Sequence, residues 1–232
     1  MKKLVCLLAV LALAASASAA VDVIVDGVRV GDWADGTYGG YSANAAYGVA
    51  GPGGTVAEFT PGGWSSVQTS LETPGTTDIT GNDYLEYLVY YDTDTAANHS
   101  ECIDLNVNGQ VKQFKNQLNV TITDMSDMSS ITNTDIWTDN DIYGTSGGKW
   151  LHISLDLQNN DFGPLGVPMT VTSVGMIAVA GHWNLDGAYQ GGTNHFYISD
   201  MKISATGTEL IPEPATIALL GLGGLALIRR KR

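Results

Sequence analysis

The loop from Gly181 to Asn194 collects residue types that suit sugar binding. Trp183 and Tyr189 offer flat aromatic faces on which a pyranose ring can stack, and Asn184 and Asp186 offer polar groups for its hydroxyls. Aromatic side chains at the base of a loop also commonly cap a hydrophobic core, so a structural role is the alternative. These four residues are the predicted ligand-binding site.

No recognisable catalytic pattern accompanies this loop. The four histidines, at positions 99, 152, 182 and 195, lack the spacing of metal ligands, and the chain has no Gly-x-Ser-x-Gly elbow for a serine nucleophile. Acidic residues are so abundant that no single pair can be identified as the two carboxylates of a glycosidase. The sequence therefore favours a protein that is not an enzyme.

The central part of the chain is strongly acidic. Between Asp22 and Glu209, 23 acidic residues stand against five basic ones, which gives a formal net charge of −18. Such a surface repels nucleic acid, so nucleic acid is excluded as a partner, and it also repels anionic membranes. This part has one cysteine, Cys102, so no disulfide can form within it; the thiol is either inert or paired with another molecule.

The elements that would position these residues have the patterns of β-strands. The alternation of apolar and polar residues from Leu151 to Leu157 predicts a strand with one face in the core and one in water. The apolar run Tyr84–Tyr91 predicts a strand buried on both faces. We expect the Thr-, Pro- and Gly-rich stretch Glu72–Gly81 to be a connection, and Asp124–Gly148 to be a long polar loop.

Turn residues divide these strands at short intervals. Asp26-Gly27 and Asn108-Gly109 are dipeptides favoured in two-residue hairpins, because both positions need a positive φ. Gly175 predicts a bulge within an apolar strand, and a change of apolar parity predicts another near Ser199-Asp200. No sustained helical periodicity occurs in the central part. These features predict an all-β fold, an antiparallel β-sandwich or barrel.

The order of strand types also resembles jelly-roll carbohydrate-binding modules of the galactose-binding-like kind. The residues that carry this resemblance are Trp64, Asp83 to Tyr90, Trp150 to Leu157, and Tyr197 to Ile203. The resemblance implies a single jelly-roll-like antiparallel β-sandwich over residues 21–208. It is a resemblance of strand pattern, and a fold of this kind does not by itself define an activity.

Calcium is the cofactor that this resemblance makes possible. In calcium-binding jelly rolls, an acid near the first strand and an acid in the last strand often share an ion with backbone carbonyls. Asp200 matches the second position and Asp26 the first. The alternative is that both are only turn and bulge residues. A calcium loop of the EF-hand type starting at Asp92 is excluded, because Ala97 stands where that loop needs glycine.

The C-terminal segment, residues 209–232, combines three features in a fixed order. The triplet Pro212-Glu213-Pro214 precedes an uncharged apolar run, Ala215–Ile228, and four basic residues, Arg229, Arg230, Lys231 and Arg232, end it. This order resembles the PEP-CTERM sorting signal of exopolysaccharide-producing Gram-negative bacteria. The resemblance implies recognition by an exosortase, a membrane cysteine transpeptidase, which would cut near the triplet. As a helix, the apolar run would anchor the chain transiently in the inner membrane.

The first 20 residues have the pattern of a secretory signal peptide. Met1-Lys2-Lys3 is a positive start, Leu4–Ala14 is apolar, and small residues up to Ala20 offer cleavage sites. Both ends of the chain therefore predict export through the Sec machinery, with a final location at the cell surface or outside the cell.

Three hypotheses about function follow from these patterns. The first is an exported surface or matrix protein that is not an enzyme and binds exopolysaccharide through its β-sandwich. The second is a purely structural component of the matrix or biofilm with no ligand site. The third is a secreted hydrolase that acts on polysaccharide.

Overall fold

The computed structural model of the chain describes residues 19–36, 45–59, 68–91, 102–113, 120–133, 148–159, 169–180 and 196–211. These ranges contain β-strands and no helix. Among the described residues there is thus no helix with the length and apolar character needed to cross a membrane. The predicted signal peptide and the predicted C-terminal helix lie outside the described residues.

The described ranges contain fourteen strands, which belong to two antiparallel sheets. In chain order they are β1 (Val21–Val25), β2 (Val28–Arg29), β3 (Ala34–Asp35), β4 (Ala45–Gly51), β5 (Gly54–Phe59), β6 (Gln68–Asp78), β7 (Tyr84–Tyr91), β8 (Cys102–Val107), β9 (Gln110–Gln113), β10 (Val120–Asp124), β11 (Ser130–Asn133), β12 (Trp150–Asp156), β13 (Ser173–Ala180) and β14 (Phe196–Ser204). The large sheet has the order β11-β10-β12-β7-β14-β1-β2, with β5 also paired to β14 and β4 paired to β5. The small sheet has the order β3-β6-β13-β8-β9.

The core lies between the facing sides of the two sheets. On β7 of the large sheet, Leu85, Tyr87 and Val89 are almost completely buried, and Leu105 and Ile177 are their counterparts on the small sheet. Successive side chains of a strand point to opposite faces, so each sheet contributes every second residue to this core. The chain passes repeatedly between the sheets. The predicted all-β fold, a jelly-roll-like antiparallel sandwich, is confirmed.

The predicted turns and bulges are confirmed as well. Asp26 and Gly27 have φ of 47° and 70° and join β1 to β2, while Asn108 and Gly109 have φ of 50° and 75° and join β8 to β9. Strand β13 shifts its register around Gly175. Strand β14 shifts its register between Ile198 and Met201. These features were predictable because they depend on neighbouring residues alone.

Two predicted connections contain strands, so these predictions are wrong. Strand β6 runs to Asp78 through the expected connection, and it pairs with β13 on one side and β3 on the other. The pairing with β13 has one register before Thr73 and another after Thr76, which leaves Pro74 outside the ladder. Strand β11 lies in the expected polar loop and pairs with β10.

The outer face of the large sheet is more buried than predicted. On β12, the polar residues His152 and Ser154 are 1% and 6% exposed, although the alternation predicted a wet face. The segment after β14, residues 205–211, folds back over this face; we call it the strap. Strand β7 is less buried than predicted. Both of its faces were predicted to be buried, but Leu88 and Tyr90 are partly exposed.

The hairpin turn at Gly27 packs closely against β14 and β5. Its φ is 70°, its N–H donates to the carbonyl of Ser199 at 2.6 Å, and a Cβ there would overlap the backbone of Val56. The left-handed conformation costs a non-glycine residue about 1–2 kcal/mol. Overpacking against rigid backbone adds about 1–3 kcal/mol.

We therefore expect Gly27→Ala to lower the free energy of unfolding by about 2–5 kcal/mol, measured by urea denaturation. Gly109→Ala is the matched control, because Gly109 occupies the same turn position with φ of 75° and an added Cβ would meet nothing within 4 Å. Equal losses in the two variants would contradict the close approach of Gly27 to β5.

Candidate functional site

Three aromatic side chains lie side by side on the outer face of the large sheet; we call them the aromatic row. Trp150 of β12 pairs with Tyr90 of β7, and Tyr90 pairs with Tyr197 of β14. The ring centroids of Tyr90 and Trp150 are 5.6 Å apart, and those of Tyr90 and Tyr197 are 6.3 Å apart. All three residues are partly exposed. The row is therefore a broad aromatic surface that water reaches.

A cleft of about 590 Å³ adjoins the row. Trp150 and Leu88 belong to its lining, together with Met125 and the turn between β4 and β5. Asp26, Thr55 and Ser199 contribute polar groups. Both the volume and the combination of apolar surface with a few polar groups are typical of pockets for small ligands.

Glycine residues bring the turn between β4 and β5 close to the aromatic row. Gly53 has φ of 76°, and a Cβ there would lie 3.2 Å from Nε1 of Trp150. A Cβ at Gly51 would lie 3.4 Å from the ring of Tyr197 and would overlap Val56. The absence of side chains at these positions allows the turn to form one wall of the cleft.

An ion pair stabilises a second wall of the cleft, the one formed by Met125. The Asp124 carboxylate accepts from Lys149 Nζ at 2.7 Å and from the Ser126 N–H and hydroxyl, and these hydrogen bonds lower the pKa of Asp124 to about 2. The N–H of Met125 donates to the carbonyl of Trp150 at 3.0 Å. Met125 is therefore fixed beside β12, the strand that carries Trp150.

The structure brings the two predicted calcium residues together. The N–H of Asp26 donates to Oδ1 of Asp200 at 3.2 Å, so the carboxylate of the bulge contacts the hairpin turn. Among the described residues, no group of three or more His, Cys, Asp or Glu is arranged to hold a metal ion. This hydrogen bond gives the Asp200 carboxylate a structural role and uses only the backbone of Asp26; calcium binding by the two acids stays a prediction.

The other end of the same face carries a buried ionisable pair. Oε2 of Glu86 lies 2.8 Å from Nε2 of His152, and the two side chains are 0% and 1% exposed. Burial acts to raise the pKa of Glu86, but hydrogen bonds from His152, Ser204 and the Leu210 N–H outweigh burial and lower this pKa below its usual value. Nδ1 of His152 is buried and has no hydrogen-bond partner among the described residues.

The strap covers this pair. The backbone N–H groups of Glu209 and Leu210 donate to the two carboxylate oxygens of Glu86 at 3.2 Å and 3.1 Å. The N–H of Gly207 donates to the hydroxyl of Ser204 at 3.0 Å. Gly207 has φ of 66°, and a Cβ there would overlap the Ser154 hydroxyl and the Tyr84 ring. The strap is therefore packed tightly onto the sheet.

The residues predicted for ligand binding and for sorting lie elsewhere in the chain. Trp183, Asn184, Asp186 and Tyr189 are outside the described residues, and so are the triplet Pro212-Glu213-Pro214 and the basic terminus. Sugar binding by the loop stays a prediction. The aromatic row was missed as a site. Its signal was present, since Trp150 and Tyr90 occupy strand positions of opposite parity to the core residues.

Comparison with known proteins gives one sequence match and several structural ones. Residues 210–232 match the family model of the PEP-CTERM protein-sorting motif. No curated protein sequence matches the chain. Among solved structures, a point mutant of the CBM29-2 module, from a study of ligand recognition by family 29 carbohydrate-binding modules, aligns with a TM-score of 0.40 at 9% identity, over 85% of this chain and 100% of that one.

Two further structures align in the same way. A CBM29-2 mutant complexed with mannohexaose has a TM-score of 0.38 at 10% identity, over 81% of this chain and 92% of that one. A structure described as a family 29 carbohydrate-binding module has a TM-score of 0.37 at 10% identity, over 81% of this chain and 88% of that one. The sequence match is the specific result: the chain carries a PEP-CTERM protein-sorting motif, which indicates an exported protein.

Proposed function

We propose that this chain is an exported protein, not an enzyme, that an exosortase sorts through its C-terminal motif and that binds polysaccharide through the aromatic row and the adjoining cleft. In this proposal the signal peptide directs export by the Sec machinery, and the apolar segment anchors the chain in the inner membrane until it is processed. The final location is the cell surface or the exopolysaccharide matrix of a biofilm.

The observation that carries the binding proposal is the aromatic row itself. Aromatic side chains with large apolar surfaces are normally buried, and a partly exposed group of three beside a cleft suits a ligand with flat apolar faces. Pyranose rings have such faces. Asp26, Thr55 and Ser199 line the cleft and supply partners for sugar hydroxyls.

A non-enzymatic role is favoured over a hydrolase by the chemistry of the cleft. Hydrolysis of a glycosidic bond by the usual mechanisms needs two carboxyl groups on either side of the bond. Among the described residues that line the cleft, Asp26 is the one that carries a carboxyl group. Its neighbour Asp200 is engaged by the Asp26 N–H.

Affinity electrophoresis of the exported protein in gels that contain a panel of polysaccharides tests the binding proposal. We expect at least one polysaccharide to retard the wild type, and Trp150→Ala to weaken this retardation at least about tenfold, because loss of an aromatic residue that anchors a ligand costs about 2 kcal/mol or more. Trp150→Phe, which keeps an aromatic face, is the matched control and should retain most of the affinity.

The same assay distinguishes the alternatives. Loss of retardation in Trp183→Ala but not in Trp150→Ala would place the ligand at the loop from Gly181 to Asn194. Absence of retardation by every polysaccharide would favour a purely structural matrix protein. New reducing ends after incubation with a polysaccharide would favour a hydrolase.

A further inference from the structure

The last two residues of the strap, Leu210 and Ile211, are the first two residues of the sorting motif. The matched motif starts at Leu210, and the N–H of this residue is bound by the Glu86 carboxylate of the sandwich. Pro212 follows two residues later, and two residues span at most about 7 Å of extended chain. The start of the motif is therefore held at the surface of the domain.

Three consecutive backbone N–H groups of the strap are occupied. Those of Glu209 and Leu210 donate to Glu86, and that of Ile211 donates to the carbonyl of Thr208 at 3.1 Å. The last of these hydrogen bonds closes a turn, so residues 208–211 are not extended. An enzyme that binds a chain in extended form uses such backbone groups for its own hydrogen bonds.

The Glu86 carboxylate, which accepts the hydrogen bonds of the strap, is a strong acceptor. Glu86 is completely buried, and its carboxylate also accepts from His152 and from the hydroxyl of Ser204. Hydrogen bonds from backbone N–H groups to a buried carboxylate are charge-assisted and stronger than neutral ones. Removal of the strap would expose this carboxylate to water and break two of these bonds together, so docking and release should be cooperative.

We propose that the strap is a latch on the sorting signal: it keeps the start of the motif docked on the sandwich, and it must detach before a processing enzyme can bind the chain around Pro212-Glu213-Pro214. Glu86 is then a positioning residue that sets the rate of processing without contacting the enzyme. This inference rests on the proposed sorting function and adds a regulatory step to it.

Two variants are expected to weaken the latch, one with a change in the sheet and one with a change in the strap. Glu86→Gln removes the charge that holds the strap. Gly207→Ala leaves Glu86 and His152 unchanged and dislodges the strap by overlap with Ser154 and Tyr84. Gly31→Ala is the control, because Gly31 has φ of 63° and an added Cβ would meet nothing within 4 Å. It imposes the same backbone strain away from the strap.

The first measurement is hydrogen exchange of the exported full-length chain, extracted in detergent from cells that lack the processing enzyme. We expect the amides of residues 207–211 to exchange at least about tenfold faster in Glu86→Gln and Gly207→Ala than in the wild type and Gly31→Ala. Equal exchange in all four proteins would show that the strap is not latched, and would overturn the inference.

The second measurement is a pulse-chase of C-terminal processing in cells that contain the enzyme. We expect both latch variants to be processed at least about threefold faster than the wild type, and Gly31→Ala to be processed at the wild-type rate. Unchanged or slower processing of Gly207→Ala, together with faster exchange of its strap, would overturn the latch and leave the sorting function intact. A wild type that is never processed would overturn the sorting function, and the latch with it.

Discussion

Glu86→Ala is expected to lower the free energy of unfolding by about 3–5 kcal/mol, because it leaves several buried donors without their acceptor and each such loss costs about 1–3 kcal/mol. The substitution leaves His152 buried without the partner of its Nε2, and Nδ1 already has none among the described residues. It also removes the acceptor of the Ser204 hydroxyl and of the Glu209 and Leu210 N–H groups. Urea denaturation of the exported protein, followed by tryptophan fluorescence, measures the effect.

An exposed carboxylate provides the control for this prediction. Asp22 lies on β1 with its side chain 49% exposed, and Oδ1 is 3.6 Å from Nζ of Lys202. Exposed ion pairs of this kind contribute about 0–1 kcal/mol. We therefore expect Asp22→Ala to have little effect. A similarly small effect of Glu86→Ala would contradict the buried, hydrogen-bonded position of the Glu86 carboxylate.

The same carboxylate makes stability depend on pH. Its pKa is below the usual value of 4.5 in the folded state, so it stabilises the fold above the unfolded pKa, and this contribution is lost as the pH falls through the folded pKa. The groups that face it are His152 on β12, Lys202 on β14 and Glu209 on the strap. Below about pH 4.5, we expect wild-type stability to fall more steeply than that of Glu86→Gln.

Phe59→Ala is expected to lower the free energy of unfolding by about 3–5 kcal/mol, as other truncations of buried phenylalanine do. Phe59 is 1% exposed on β5, and its ring stacks on Phe196 of β14 with centroids 5.2 Å apart and planes within 5°. Tyr47 meets the same ring edge-on at 6.0 Å. The substitution therefore leaves a cavity where β4 and β5 join the sheet.

Ile131→Ala is the control for the core truncation. Ile131 is 52% exposed on β11, so its truncation removes little buried surface and should cost less than about 1 kcal/mol. The comparison is made by urea denaturation at neutral pH. A loss below about 1 kcal/mol for Phe59→Ala would contradict the stacked position of its ring in the core.

Local chemistry explains which parts of the fold the sequence predicted. The Asp26-Gly27 and Asn108-Gly109 turns and the bulge at Gly175 follow from backbone preferences of adjacent residues. The core face of β12 follows from alternation within a single strand. The part of β6 from Glu72 to Asp78 was predicted as a connection because its Thr, Pro and Gly residues resemble a turn, and only pairing with β3 and β13 makes it part of a strand.

The aromatic row and the position of the strap have a different origin. Trp150, Tyr90 and Tyr197 are distant in the sequence and form one surface because β12, β7 and β14 are neighbours in the large sheet. Likewise, alternation predicted that Ser154 faces water, and the strap covers it. Strand order and the path of a returning segment depend on contacts between distant residues, which no local pattern encodes.

The sequence by itself determined the sorting motif, the acidic character and the all-β fold, because these are properties of composition, short motifs and period-two alternation. Only the tertiary structure decided that three aromatic residues form a row beside a cleft, and that the segment leading into the motif is bound by a buried carboxylate. Side chains from separate strands meet only when the sheet assembles, and the strap reaches the Glu86 carboxylate because β14, which it follows, pairs with β7.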